Sequence, residues 1–418
     1  MDANKQLTIG LFGFGVVGQG LYRILQQTPS LNASIKRICI KDPAKKRDAP
    51  DALFTTDRDL LLNDPEINVI VEVINESEPA YRIVTTALRK GKDVVSASKK
   101  MLAEHLPELI TLQQSSGRSL LYEASACASI PVIRNLEEYY DNDLLHSIKG
   151  IVNGSTNFIL TKMFEDKLDL KDALLLAQQL GFAETDPTLD LEGYDAVNKW
   201  TLLLNHAYGI TTSPGDIVFN GIQNIKESDA RVAKEKNLHI KLVAQAQKLK
   251  EGDVAGFVLP QFVRQDDHLS FVKNEYNGVV IESGFADKQF FYGKGAGSFP
   301  TATAVLSDIS ALRYQYKYEY KKLHHHKLLR LYDDFHLRAY VSFADWTFIP
   351  REKFEYIEEW HAHADRKYLV GILHFREIKG HRWWKDNNTS LILMPDPIVE
   401  DMDVRKLKKV SLELAGIM

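Results

Sequence analysis

Short apolar runs alternate with helical patterns along the first 135 residues. Leu7–Phe12 is an apolar strand pattern, Val16–Gln27 has helical periodicity, and Ser34–Ile40 reads as a second strand. Val69–Ile74 follows as a buried strand, Pro79–Lys90 as a helix opened by proline, and Val94–Ala97 as a strand. Met101–Ser115 is helical and Leu120–Tyr122 is a last short strand. Near-continuous apolar strands separated by amphipathic helices predict a parallel sheet covered on both faces.

The pattern then changes. Ile148–Val152 reads as a strand, and Leu170–Leu180 and Asp195–Tyr208 read as amphipathic helices, with Ala233–Leu249 continuing the helical content. Phe257–Pro260, Ser270–Val272 and Gly278–Glu282 are strand patterns, so residues 136–300 are expected to form an α+β domain. Gly293-Lys-Gly-Ala-Gly297 leads into a helical run, Thr301–Leu312, expected to return to and complete the first domain. From about His324 the chain is charged and aromatic. Strands at Leu337–Phe343, Tyr368–Phe375 and Ser390–Met394, with helices at Pro350–Trp360 and Val404–Ala415, predict a small α+β C-terminal module over 324–418.

Composition narrows the class. A length of 418 residues calls for two or three domains, and 44% hydrophobic with 26% charged residues suits a soluble globular protein. No apolar run approaches the length of a membrane span, and the first residues carry no apolar signal core. Two cysteines, Cys39 and Cys127, argue against a disulfide framework and for a reducing, cytoplasmic setting. A net charge of −4 disfavours nucleic acid or a membrane surface as partner. A small-molecule enzyme is the expectation.

The segment Gly13-Phe14-Gly15-Val16-Val17-Gly18 follows the first strand and opens the first helix. A first glycine permits the tight turn, a second lets the backbone approach a pyrophosphate, and a third lets helix and strand pack closely. The helix N-terminus then offers N–H groups to the anion. Residues 1–135 are therefore read as a Rossmann-type domain binding NAD or NADP. At the end of the second strand, Lys41 precedes Asp42, and Lys45, Lys46 and Arg47 follow. An acid there suits the 2′-hydroxyl of NAD and a base suits the 2′-phosphate of NADP, so the charge leans to NADP.

Other segments carry candidate chemistry. Ser98 and Lys99 stand at the C-terminal end of a parallel strand, beside the crevice where ligands bind in such sheets. Residues 181–199 crowd Glu184, Asp186, Asp190, Glu192 and Asp195 into one stretch, with Lys199 one helical turn beyond Asp195. Taken alone, each has an ordinary alternative: a surface lysine pair, or a dipole-favoured acid with an i,i+4 ion pair. The small-residue loop Glu123–Ile130 offers carbonyls to a monovalent cation or is a plain connector. His324–His326 reads as a solvated run, since three consecutive side chains do not converge.

Taken together, these segments resemble homoserine dehydrogenase over roughly residues 7–315. The glycine turn, Ser98-Lys99, Gly150-Ile-Val-Asn153-Gly154-Ser-Thr156-Asn157, Glu184-Thr-Asp186-Pro, Gly193-Tyr-Asp195-x3-Lys199 and Gly295-Ala-Gly297 occur in the family's order. The resemblance implies reversible NAD(P)-dependent interconversion of L-homoserine and L-aspartate 4-semialdehyde, in the branch of amino-acid synthesis leading to threonine and methionine. It implies Lys199 as proton donor and acceptor with Asp195 beside it, and Lys99 near nicotinamide and substrate. Glu184 would bind the substrate ammonium, Asp190 would shape that site, and Gly181 and Gly297 would approach the cofactor. It also implies a monovalent cation such as Na+ at Glu123, Ala126, Ala128 and Ile130, and a homodimer. A developing alkoxide needs a nearby proton donor, which a protonated lysine supplies.

The sequence departs from the family in places. Ser98 replaces an asparagine, Asn75-Glu76 replaces a glycine pair and puts a carboxylate on the expected approach to nicotinamide, and Cys127-Ala128-Ser129 stands where glycines are usual. The tail lacks the Pro-Gly-x-Leu turn of the small regulatory domain of many relatives, so it is expected to be a divergent regulatory or dimerisation module. A related semialdehyde dehydrogenase and a catalytically silent NAD(P)-binding regulator are the alternatives.

Overall fold

The computed structural model describes residues 6–142, 144–250, 252–363 and 366–400. The N-terminal stretch runs β1 (Leu7–Phe12), α1 (Val16–Gln27), β2 (Ala33–Cys39), β3 (Phe54–Thr55), α2 (Asp59–Leu62), β4 (Val69–Glu72), α3 (Ser77–Arg89), β5 (Asp93–Ser96), α4 (Lys99–Ser116), β6 (Leu120–Leu121) and α5 (Val132–Glu138). Its six strands pair in the order β3-β2-β1-β4-β5-β6, every pair parallel. β4 and β5 are buried at every position, as strands covered on both faces must be. This is the doubly wound arrangement expected from the alternation.

The chain continues with β7 (Leu145–Ile151), α6 (Gly154–Glu165), α7 (Leu170–Gln179), α8 (Thr188–Leu191), α9 (Tyr194–Tyr208), β8 (Val218–Phe219), α10 (Glu227–Glu235), β9 (Leu238–Lys248), β10 (Val254–Arg264), β11 (Tyr276–Ser283), β12 (Asp287–Lys294) and α11 (Ser298–Leu312). It ends with β13 (His336–Phe343), β14 (Phe354–His363), β15 (Arg366–His374), α12 (Phe375–Lys379) and β16 (Thr389–Val399). These strands form one mixed sheet in the order β12-β11-β7-β9-β10-β16-β13-β15-β14, with β8 beside β10. α11 packs on α1: Ser298 Oγ donates to the Val16 carbonyl at 2.7 Å, and Gly20 of α1 meets Ser298.

Two compact units result. One holds Met1–Asp143, Asn198–Pro214 and Phe291–Leu328; the other holds Leu144–Val197, Gly215–Phe290 and Leu329–Met418. The boundary crosses α9. In the second unit the tail strands share an apolar core with β10, where Phe257 and Leu259 pack with Leu337, Val341, Leu369 and Leu393.

Three expected elements differ. Ala233–Leu249 is not one helix: α10 ends at Glu235, Asn237 takes a left-handed φ of 55°, and Leu238–Lys248 is a strand. This strand is central, so its Lys241 and Gln245 are buried with the apolar positions, and the polar–apolar alternation that marks a strand is obscured. Ser270–Val272 is not a strand but part of a 3-10 turn, His268–Phe271, capped by the Asp267 side chain accepting from Leu269 N–H. Pro350–Trp360 is not helical: its second half begins β14. Two register shifts there, between Phe354 and Tyr356 and between Ile357 and Glu359, bring Phe354, Ile357 and Trp360 inward at a spacing of three. Bulges thus imitated a helical period. The helix expected at Val404–Ala415 lies outside the described residues.

Candidate active site

The glycine turn has the geometry its residues require. Gly13 sits at φ 95° with its N–H donating to the Cys39 carbonyl at 3.0 Å, and a Cβ on Gly18 would lie 2.3 Å from the Gly13 oxygen. A Cβ on Gly15 would meet nothing within 4 Å, so open space lies over the start of α1, whose first turn has neither a side-chain cap nor an acid. That opening fits a pyrophosphate. Phe14 turns inward against Tyr22 and Phe54, so only its backbone can face the turn, while Val16 is exposed and Val17 half-buried. Lys41, at the end of β2, lies 2.6 Å from the Glu76 carboxylate. Glu76, expected at the nicotinamide approach, is thus paired with the lysine that follows β2.

Lys99 is the first residue of α4, half-buried, and Lys100 beside it is exposed. Ser98 Oγ lies 2.8 Å from both Glu72 Oε1 and the Ile74 carbonyl. Glu72, at the end of β4, is fully buried and also accepts from Ile74 N–H at 2.8 Å and Ser96 Oγ at 2.6 Å. Burial pushes its carboxyl up, and the three donors oppose that shift. Glu72 ties together the strand ends that carry Lys99. Sequence reasoning passed over it, although an acid ending an apolar strand was a readable signal.

The second unit assembles the acidic stretch around an amide. Asn153 caps α6, its Oδ1 accepting from Thr156 N–H at 2.8 Å and Oγ1 at 2.9 Å. Its Nδ2 donates to Asp190 Oδ1 at 2.6 Å and to Asp195 Oδ2 at 2.9 Å. All four hydrogen-bonding positions of the amide are thereby used. Gly154 follows because a Cβ there would lie 2.5 Å from the Glu275 carbonyl. Asp195 opens α9 and Lys199 lies one turn on, both buried at 6% and 7% exposure. Ser155 Oγ donates to the Phe182 carbonyl at 2.6 Å, which fixes the loop holding Gly181 (φ 77°) against α6. Glu184 is exposed on that loop, its carbonyl accepting from Gln178. Asp190 and Asp195 are therefore brought together by Asn153, a residue quoted for its motif but assigned no role.

Glu123 and the loop to Ile130 are buried in the first unit, apart from Ser129. The Glu123 carboxylate accepts from Ile133 and Arg134 N–H at 2.8 and 2.9 Å, serving the start of α5. Its own N–H donates to Asp308, which pairs with Arg134 at 2.6 Å. Burial pushes Glu123 up to about 8 and Asp308 up to about 6. Ala128 holds a left-handed φ of 46°, a conformation that suits glycine better. Gly297, at φ 117°, precedes α11. Among the described residues no group of three or more His, Cys, Asp or Glu converges as a metal site, and no helix is long and apolar enough to cross a membrane.

Comparisons with known proteins identify the family. The homoserine dehydrogenase NAD-binding domain model matches residues 13–123 and the homoserine dehydrogenase model residues 131–310. A homoserine dehydrogenase of Bacillus subtilis is 37% identical over 317 residues, covering 74% of this chain and 73% of the relative. The solved structure of a Thiobacillus denitrificans homoserine dehydrogenase superposes with a TM-score of 0.80 at 26% identity, over 93% of this chain and 98% of that one. A hyperthermophilic archaeal homoserine dehydrogenase in complex with NADPH superposes with a TM-score of 0.63 at 27% identity, over 75% of this chain and 99% of that one. The reading as a different dehydrogenase or a silent regulator is not favoured by these matches. The chain belongs to the homoserine dehydrogenase family of nicotinamide-dependent oxidoreductases.

Proposed function

We propose that the chain reduces L-aspartate 4-semialdehyde to L-homoserine, reversibly, with Lys199 as the proton donor to the carbonyl oxygen. The observation that carries this reading is the Asn153 amide joining Asp190 and Asp195, with Lys199 one turn beyond on α9. When bound, NAD(P)H would supply the hydride that reduces the aldehyde carbon. Negative charge then grows on the oxygen, and an ammonium aimed at it stabilises that charge and gives up its proton. Glu184 and Asp190 supply the negative charge that a substrate ammonium requires, and Lys99 faces the nicotinamide end. In the reverse direction Lys199 takes the hydroxyl proton, and because oxidation releases a proton its equilibrium moves toward the semialdehyde as pH rises.

NADP(H) is the coenzyme we assign, on the cationic end of β2 at Lys41. The Gly13–Gly18 turn would hold the pyrophosphate, and Ser98 and Gly297 of the same unit would contribute to the coenzyme site. The carbonyls of Glu123, Ala126, Ala128 and Ile130 would hold a monovalent cation. The fit lies in the charge: Arg134 gives its guanidinium to Asp308 and its backbone N–H to Glu123, so these two buried carboxyls would take one further positive charge when both are ionised. A second copy of the chain as partner, a cytoplasmic setting and a regulatory or dimerising role for the 324–418 region complete the proposal.

The test is turnover of the semialdehyde with NADPH and with NADH, in wild type and Lys199→Ala. Loss of about 1,000-fold or more in kcat with coenzyme binding intact is the expected result. Full activity in the variant removes the mechanism, and an inactive wild type removes the function.

A further inference from the structure

The end of β2 is where a dinucleotide fold distinguishes a ribose 2′-hydroxyl from a 2′-phosphate, an acid serving the first and a base the second. Here the local acid is spent on its own loop: Asp42 Oδ1 accepts from Ala44 N–H at 2.9 Å. Arg47 is turned inward as well, donating to the carbonyls of Asp42 at 2.6 Å and Lys45 at 2.5 Å, with its guanidinium over Phe54. Lys41 points elsewhere, to Glu76 Oε1 at 2.6 Å. Glu76 is the N-cap residue of α3, yet its side chain makes no cap bond. β2 and β4 flank β1 in the sheet, so this pair bridges the strand ends across the glycine turn that closes β1. The side chains of Lys41 and Glu76 are 84% and 56% exposed, so a ligand can reach both and the pair itself is weak.

We infer that Glu76 is a coenzyme-selecting residue, competing with a 2′-phosphate for Lys41 and accepting the 2′-hydroxyl of the non-phosphorylated coenzyme. The acid that this fold ordinarily carries at the end of β2 is thus supplied from the loop after β4. A 2′-phosphate must displace the carboxylate from Lys41 and then lie beside it, a like-charge contact that weakens NADP(H) binding. NAD(H) meets no such repulsion. Glu76 therefore restrains the NADP(H) preference that Lys41 confers and keeps NAD(H) usable. This inference rests on the proposal that the Gly13–Gly18 turn binds a dinucleotide with its adenosine ribose at the end of β2.

Binding of NADPH and NADH to the full chain, read by coenzyme fluorescence, tests it alongside kcat/KM for each. Glu76→Gln is expected to shift the NADPH-to-NADH affinity ratio about tenfold toward NADPH, and less at high salt, where exposed charges are screened. Lys41→Ala is expected to shift the ratio about tenfold the other way, and in its background Glu76→Gln has a smaller effect. A ratio that stays within about twofold of wild type in Glu76→Gln, with both coenzymes still bound, overturns the role of Glu76 alone. A wild type that binds neither coenzyme overturns the dinucleotide proposal beneath it.

Discussion

Two clusters of carboxylates, one buried and one partly buried, differ in what holds them. In the first unit, Glu123 and Asp308 are closed by backbone N–H groups and the Arg134 guanidinium, at 2% and 0% exposure. In the second, Asp190 and Asp195 are joined by the neutral amide of Asn153. A guanidinium cancels charge and seals a core, whereas an amide gathers carboxylates without cancelling either. The first arrangement is suited to holding structure, and the second to receiving a substrate ammonium. Changes in the closed cluster should therefore cost stability, and changes in the amide-joined one should cost turnover.

The largest expected effect is in the closed cluster. Arg134→Met leaves Asp308 buried without its guanidinium and should lower unfolding stability by about 3–5 kcal/mol in denaturant titration. A loss below about 1 kcal/mol would show that the cluster is not the lock described. Next comes Asn153→Ala, which removes the donor joining Asp190 and Asp195. A fall of about 100-fold in kcat/KM is expected, with coenzyme affinity kept and only about 1 kcal/mol lost from the missing cap. If stability collapses and kcat/KM per folded molecule is unchanged, the contrast between the clusters fails.

A smaller effect concerns pH. Glu123 and Asp308 are raised from their ordinary values of 4.5 and 3.8 to about 8 and about 6. A raised carboxyl binds its proton more tightly folded than unfolded. Its stabilisation is complete below the unfolded value and is lost as pH climbs to the folded value. Stability should therefore fall between about pH 5 and pH 8, and fall less steeply in Glu123→Gln. A monovalent cation beside the loop favours the ionised carboxyls. Sodium chloride should then raise the Tm more at pH 8 than at pH 6 when compared with choline chloride at equal ionic strength. Equal responses would remove the cation from the proposal. The smallest effect is Ser98→Ala, expected to change coenzyme KM by about threefold as one bond to Glu72 is lost.

Much of the first domain was readable because its signals are local. β1, the glycine turn and α1 are consecutive, and Gly13 at φ 95° and Gly18 against the Gly13 oxygen have their reasons within the turn itself. The acidic stretch was legible as residue types only. Asn153 lies 37 residues before Asp190 and 42 before Asp195, and spacing gives no hint of that meeting. The pairing of Glu76 was hidden for the same reason: its partner, Lys41, lies 35 residues away after another strand. In the second sheet, the two bulges of β14 and the buried polar positions of β9 erased the period that would have marked them as strands.

The sequence by itself determined the parallel domain, the dinucleotide turn, the family resemblance and the Asp195–Lys199 spacing. These follow from hydrophobic period, glycine placement and helix geometry, which act over one or two turns of chain. Only the tertiary structure decided which carboxylates meet Asn153, where Glu76 reaches, and that the tail strands extend the middle sheet. Those outcomes depend on packing and on the satisfaction of buried polar groups, interactions between residues far apart along the chain.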